Sequence, residues 1–349
     1  MLTTIATIFT FFLGLAGVAG FILLSLPLPW LLGALTGCLV AALLGAPMAH
    51  PPRPLAEFLR SGMGLIIGSG FSPHILDLLT PYAISLSVLT PYVALLAAIG
   101  AWHYRRFGGM NALTAWIAAI PGGMTEMTLM GRDLGANLTQ VALAHLMRIL
   151  MLAFGLSFVY QWLLGIDLSR PDALGGVDIG KLSARNWGEM LALAVLGWQG
   201  AARLRLPGAS VLGPMLLTAT AQISGLTQIH LPWQVTGVAQ WGVGVTIGCA
   251  FIGVTWRQVA HAARVTGVLM AGYGVLTAGF AWSVARLIGF SPWEALLALA
   301  PGGQAEMCII AATAGLSVAY VGAHHLTRIF LIFTIAPIWL ARQQRTALR

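Results

Sequence analysis

One short string occurs twice in this chain, 180 residues apart: Pro121-Gly122-Gly123-Met124-Thr125-Glu126-Met127 and Pro301-Gly302-Gly303-Gln304-Ala305-Glu306-Met307. Each copy sets a helix-breaking Pro-Gly-Gly and a carboxylate inside an otherwise apolar stretch. Away from water, freed backbone groups and a charge must find partners within the protein itself. The feature is costly, and its duplication makes it the first place to look for function.

The apolar setting follows from composition. Of 349 residues, 58% are hydrophobic and 8% charged, with mean hydropathy +0.86, whereas soluble domains carry roughly 25% charged residues. Apolar runs long enough to span a bilayer follow one another from Ile5 to Leu340. An all-α, polytopic membrane protein is predicted. Tryptophans near segment ends, such as Trp30, Trp102, Trp187, Trp233 and Trp282, fit interfacial anchoring. The net charge of +8 is scattered over short loops, which argues against a nucleic-acid partner. Cys38, Cys249 and Cys308 stand alone in apolar segments and read as buried hydrophobes, neither disulfides nor metal ligands. The first apolar run lacks a basic leader and has a counterpart near Trp187–Ala202, so it is expected to belong to the fold.

The register between the two halves extends well beyond the motif. Leu26-Pro27 matches Leu206-Pro207, and Gly62, Gly64 and Gly68 match Gly242, Gly244 and Gly248. Downstream, Val141, His145 and Arg148 match Val321, His325 and Arg328, with no gap between Leu26 and Arg148. The chain therefore divides into membrane repeat 1 (1–165), a polar linker (166–186), membrane repeat 2 (187–341) and a basic tail (342–349). Internal repeats are a common plan of transporter folds. The repeated glycines suggest close helix packing or an unwound crossing.

Whether the repeats are parallel or inverted turns on the Pro-Gly-Gly segments. About nine apolar residues flank each side of Pro121-Gly122-Gly123, and at ~1.5 Å per residue each arm covers roughly half the hydrocarbon thickness. A segment that turns back leaves about ten spans and two re-entrant segments, with the halves inverted. The loop charges lean the same way. A turn-back puts eleven basic residues on one side and four on the other, against ten and five for a spanning segment. The expectation is ten spans with cytoplasmic termini.

A Pro-Gly-Gly break can end one half-helix and start another, whose N-terminus carries a partial positive charge. Gly122, Gly123, Gly302 and Gly303 would shape such ends, with Glu126 and Glu306 just inside the second arms. Two readings stand nearly level: the glutamates cap their own half-helices, or they handle a substrate or proton. Arg148 and Arg328 lie in strongly apolar helices, with His145 and His325 three residues before them on the same face. Glu126 and Glu306 are the evident ion-pair partners for these arginines. They would either lock the fold or recognise an anion while His or Glu carries a proton. His324, on another face, is expected at the interface, and Arg60 is expected to pair with Glu57.

A duplicated unit with Pro-Gly-Gly-x-x-Glu-Met, followed by an apolar helix beginning Val-Ala with His-x-x-Arg, resembles the AbrB family of bacterial inner-membrane proteins over essentially the whole chain. That family is distinct from the small soluble DNA-binding regulator of the same name. Its members often carry Gln where His145 and His325 stand here. The resemblance implies an inner-membrane location and carries two labels, ammonia monooxygenase and regulator of aidB expression. An oxygenase would need a metal site, and no His or Cys cluster has ligand spacing. The leading expectation is a secondary transporter of a small polar or anionic solute, not an enzyme, with no cofactor. Its partners would be the solute or an ion, the lipid bilayer and, in one form, further copies of itself. The alternative is a non-transporting membrane sensor or regulator.

Overall fold

The computed structural model describes residues 2–170, 172, 179–229 and 231–347. Among them there are α-helices and no strands. In chain order these are α1 (Leu2–Leu23), α2 (Ala34–Leu43), α3 (Arg53–Ser69), α4 (Leu79–Ser87), α5 (Leu89–Phe107), α6 (Ala112–Ala119), α7 (Met124–Leu134), α8 (Leu138–Phe158), α9 (Ala184–Arg203), α10 (Ala209–Ile223), α11 (Trp233–Cys249), α12 (Trp256–Ile288), α13 (Pro292–Leu299), α14 (Gln304–Thr313) and α15 (Val318–Ala347). The elements of the second half thus begin and end close to 180 residues after those of the first. Among the described residues, five stretches are long and apolar enough to cross a membrane: Thr4–Leu23, Pro73–Phe107, Leu138–Leu163, Trp256–Ile288 and Val318–Pro337. Pro29–Leu43 and Ala209–Ile223 are apolar but shorter. Both α3 and α11 have 17 residues, and α3 opens with Arg53, Glu57 and Arg60, which shortens its apolar part. Within α3, Glu57 pairs with Arg53 at 2.8 Å on the exposed side.

The helices gather into two compact units, and neither coincides with a sequence half. One contains residues 1–77, 154–256 and 308–319; the other contains 78–153, 257–307 and 320–349. Each unit therefore draws on both halves. Of the linker, residues 171 and 173–178, with Asp178, lie outside the described residues. Asp167 accepts bonds from the Ser169 hydroxyl (2.6 Å) and amide (3.0 Å), which hold its carboxyl below the ordinary range. A capping box formed by Ser183 and Asn186 then starts α9.

In the first unit the repeated glycines bring backbones into contact. A Cβ on Gly64 of α3 would lie 2.9 Å from Pro214 Cβ and 3.0 Å from Met215 N of α10. On Gly244 of α11 it would lie 2.9 Å from Ala34 Cβ and 3.1 Å from Leu35 N of α2. These are the same contacts displaced by 180 positions: α3 packs on the second-half helix and α11 on the first-half one. Where α3 meets α11, Gly62 faces Ala239 and Gly242 faces Leu59. Rising numbers on one helix meet falling numbers on the other, so these corresponding helices run antiparallel. Close packing is what the glycines provide; no unwinding occurs at them.

The second unit repeats the relation. Tyr92 bonds Thr277 (2.7 Å), the Tyr273 hydroxyl donates to Leu96 O (2.5 Å), and His103 bonds Val265 O (2.9 Å). Along α5 the numbers rise while those of α12 fall, so these corresponding helices are antiparallel as well. The first Pro-Gly-Gly segment is a hairpin. Asn137, just beyond α7, donates its amide to Thr114 Oγ1 near the start of α6 at 3.1 Å, and Gly131 faces Ile117 at 3.8 Å. A through-going segment would hold those two ends ~30 Å apart.

The glycine contacts generate a stability prediction. Gly64→Val and Gly244→Val each place a branched side chain against backbone and are expected to cost about 1–3 kcal/mol, read as a lowered unfolding temperature in detergent. Gly155→Ala, where nothing lies within 4 Å, is the control; as a helical glycine it should hold or raise that temperature.

Candidate functional site

The Pro-Gly-Gly segments, the two arginines and the two histidines all lie in the second unit. At the first break α6 ends at Ala119 and α7 begins at Met124, with Gly123 as its N-cap. Gly123 has φ −67° and ψ 140°, a conformation any residue adopts. Side chains that follow in the motif lie close against both glycines. A Cβ on Gly122 would meet the Met127 side chain at 2.9 Å, and one on Gly123 would overlap the Glu126 carboxyl group. The second copy has the same arrangement, with Met307 3.3 Å from Gly302 and the Glu306 carboxyl folded onto Gly303. Every member of the motif is thereby accounted for: proline breaks the helix, methionine covers the first glycine, and glutamate bends back over the second.

A glutamate at the third helical position is placed as in a capping box, from which it reaches the amide of the N-cap. Its charge also opposes the positive end of the half-helix. Both carboxyl groups sit at the breaks, as the sequence predicts, and their placement favours the capping reading.

Arg148 does something different from the expectation. Arg148, 3% exposed, donates to the carbonyls of Ala118 (3.3 Å), Ile120 (3.5 Å) and Gly122 (3.4 Å). Its partner is the end of the incoming half-helix and not Glu126. Arg328 makes the same kind of contact with Ala300 O (2.6 Å) and Gly302 O (2.7 Å). The last carbonyls of a broken helix have lost their intrahelical donors and carry the negative end of its dipole. A guanidinium five donors wide satisfies several of them at once.

A single helix face joins the two breaks. Arg148 on α8 holds the first, and Leu152, one turn further on, touches Gly302 of the second at 3.4 Å. One turn is ~5–6 Å of rise, so the two half-helix pairs converge on one stripe of α8.

With the site in view, the comparisons decide the family. The chain matches the family described as "Transition state regulatory protein AbrB" over residues 3–343. It belongs to the AbrB family. It is 27% identical over 328 residues to "Putative regulator AbrB" of Escherichia coli (strain K12), covering 91% of this chain and 90% of that protein. It is 26% identical over 354 residues to "Uncharacterized protein YhjN" of Bacillus subtilis (strain 168), covering 93% and 90%.

In this AbrB-family chain the two copies of the site differ in tightness. Arg328 also donates to His325 Nδ1 at 2.8 Å, while His325 Nε2 bonds Leu297 O at 3.0 Å. Those partners require a neutral ring with its proton on Nε2, so His325 cannot take up a proton without losing Arg328. His145 instead bonds Val141 O through Nδ1 at 3.0 Å. Glu306 is 4% exposed and Glu126 is half-buried.

Two further corrections concern groups that sequence reasoning placed elsewhere or missed. His324 is wholly buried, not interfacial: its Nε2 bonds Ser85 Oγ (2.7 Å), and Ser85 also bonds the Tyr320 hydroxyl (2.6 Å). Tyr104 and Tyr273 lie close enough to Arg148, and Tyr92 to Arg328, to interact electrostatically. All six tyrosines of the chain are buried. Their scarcity within an apolar sequence was the available signal, because a buried phenol needs a partner. Tyr92 and Tyr273 fall one position out of the repeat register, so comparing the halves does not pair them.

Loss of the guanidinium leaves buried carbonyls unpaired. Arg328→Met is expected to cost about 3 kcal/mol or more, and Arg148→Met less, because its bonds are longer. Unfolding temperatures of the two variants in one detergent give the comparison; equal losses would contradict it.

Proposed function

We propose that this protein is a multi-pass inner-membrane secondary transporter of a small polar or anionic solute, built from two inverted repeats, with termini in the cytoplasm. The observation that carries this reading is the convergence of both Pro-Gly-Gly breaks on one face of α8. Broken half-helices that meet at mid-depth are a recurrent way to form a transport site, because their ends offer unpaired amides and carbonyls where no water competes. The antiparallel run of corresponding helices α3/α11 and α5/α12 supports inversion. The turn-back of α6 and α7 supports five spans per half, with the short helices α3 and α11 among them. A membrane setting is supported by the outward face of α12, where Val268, Val275 and Trp282 are 65, 78 and 54% exposed along ~21 Å of helix.

In this reading the half-helix ends at Gly122, Gly123, Gly302 and Gly303 hold the solute, and Arg148 and Arg328 keep the local potential positive. Glu126 and Glu306 couple to protons or sodium. Capping and coupling are compatible. Protonation removes the charge that a carboxylate sets against the helix dipole, which loosens the half-helix end. The protein acts as a carrier, not an enzyme.

The test is flux in proteoliposomes of radiolabelled mono- and dicarboxylates, with and without a proton or sodium gradient. Wild type is expected to show gradient-driven flux, and Glu126→Gln and Glu306→Gln to lose it about tenfold or more, the range expected when a group that carries a proton is removed. A second reading, a non-transporting membrane regulator, draws on the printed names of the family and of the Escherichia coli relative. Flux absent for every probe, with folded variants that keep the wild-type effect on gene expression, would favour it. Topology has its own readout. In a background lacking Cys38, Cys249 and Cys308, Arg106→Cys and Arg132→Cys are expected to be labelled from the same side of the membrane; labelling from opposite sides would contradict the hairpin.

A further inference from the structure

The two halves of the second unit differ in one place where correspondence would predict likeness. At the C-terminal end of α5 and the N-terminal ends of α8 and α12 lies a cavity of about 400 Å³ whose wall includes Met110, Gln140, Ala144, Ala262 and Val265. The corresponding positions, 180 residues away, are Phe290, Tyr320, His324, Tyr82 and Ser85. There aromatic rings pack on one another. Phe290 stacks on Tyr320 at 4.8 Å, Tyr82 meets Tyr320 edge-on at 5.2 Å, and Ser85 ties Tyr320 to His324. Five small or flexible residues in one place, drawn from both halves, are thus answered by three aromatic rings, an imidazole and a hydroxyl in the corresponding place. The two places lie at opposite ends of α12, some 24 residues or ~36 Å apart.

The chemistry of the open cavity has a sign. Its wall offers amides (Asn137, Gln140, Gln258), hydroxyls and the His261 imidazole, and no carboxylate. Gln140, Ala144 and Arg148 follow one another at four-residue spacing on α8, so the stripe that lines the cavity leads inward to a buried guanidinium. Tyr104, in the cavity wall, interacts electrostatically with that guanidinium. Amides, hydroxyls and an imidazole without acidic groups, with a guanidinium two turns further along α8, favour an anion. The volume lies in the lower range of small-molecule sites, which run from ~300 Å³.

We propose that this cavity is the entrance chamber for a small organic anion of the carboxylate class, on the side of Arg105, Arg106, Arg132 and Arg257, and that Tyr82, Ser85, Phe290, Tyr320 and His324 form the closed barrier in the corresponding place at the far end. The assignment of sides rests on the inverted-repeat transporter reading; the chamber and the barrier rest on the contacts above.

Thiol accessibility tests the proposal without any flux. In the full-length protein lacking its native cysteines, Gln140→Cys is reacted with an anionic sulfonatoethyl and a cationic trimethylammonium methanethiosulfonate. The reaction is run in inside-out and right-side-out vesicles at about 0.5 M salt, which screens surface loops beyond ~4–5 Å. Expected is reaction from the cytoplasmic side, with the anionic reagent favoured about threefold or more over its ratio on a free thiol, as a charge ~12 Å away implies. Tyr320→Cys, the corresponding position, should stay unreactive from both sides, and His324→Ala added to it should admit reagent from the outside. Thr139→Cys on the cavity rim gives the same readout should Gln140→Cys fail to fold. Equal preference for the two reagents, or Tyr320→Cys reacting as fast as Gln140→Cys, would overturn the proposal. Labelling as expected with no flux of any probe would instead sink the transporter reading and leave the chamber standing.

Discussion

The structure around the two breaks depends on guanidinium groups set against helix carbonyls. A Pro-Gly-Gly inside an apolar stretch strands the last carbonyls of one half-helix and the first amides of the next. Neither can be left bare where water does not reach. Arg328 meets the stranded carbonyls of Ala300 and Gly302 at 2.6 and 2.7 Å, and the Glu306 carboxyl lies over Gly303 at the start of the next half-helix. Each charge faces the dipole end of opposite sign. The expensive features therefore answer one another: the break supplies partners for the buried charges, and the charges supply partners for the break.

This explains why Arg148 need not pair with a glutamate. A guanidinium–carboxylate pair at Arg148 would have left three carbonyls of the first break to be satisfied by something else. By taking Ala118, Ile120 and Gly122, Arg148 fixes where α6 ends relative to α8. Position, more than charge neutralisation, is what the residue secures. The same helix then meets Gly302 through Leu152, so the separation of the breaks is set by the pitch of α8 and not by two independent loops.

Much of this was legible in the sequence, because the deciding features are local or repeated. Proline and glycine announce the breaks, and arm length favours a turn-back that Thr114 and Asn137 then bear out. The family could be read from Pro-Gly-Gly-x-x-Glu-Met and His-x-x-Arg, and the match over residues 3–343 agrees. What stayed hidden depends on partners that have no side-chain signature. A sequence says that Arg148 needs something negative, but backbone carbonyls are the same at every position, so the glutamates looked like the evident partners. His324 looked interfacial for a related reason: its partner Ser85 lies 239 residues away. The composition of the compact units was equally out of reach, since strong internal likeness points to halves as units while packing pairs α3 with α10 and α11 with α2.

The differences between the copies follow from the same logic. Two identical inverted halves would give two identical ends, and neither face would be distinguished by side chains alone. In this chain Arg328 holds its break through shorter bonds than Arg148 does, and His325 is locked into that contact as a neutral acceptor. Glu306 is buried where Glu126 is half-buried. The tighter break is held from α15, whose first turns pack with Tyr82 and Phe290. The looser one is held from α8, whose first turns line the open cavity. Both asymmetries point the same way, toward a molecule whose duplicated frame supplies the geometry of the breaks and whose few unmatched side chains make its two ends differ.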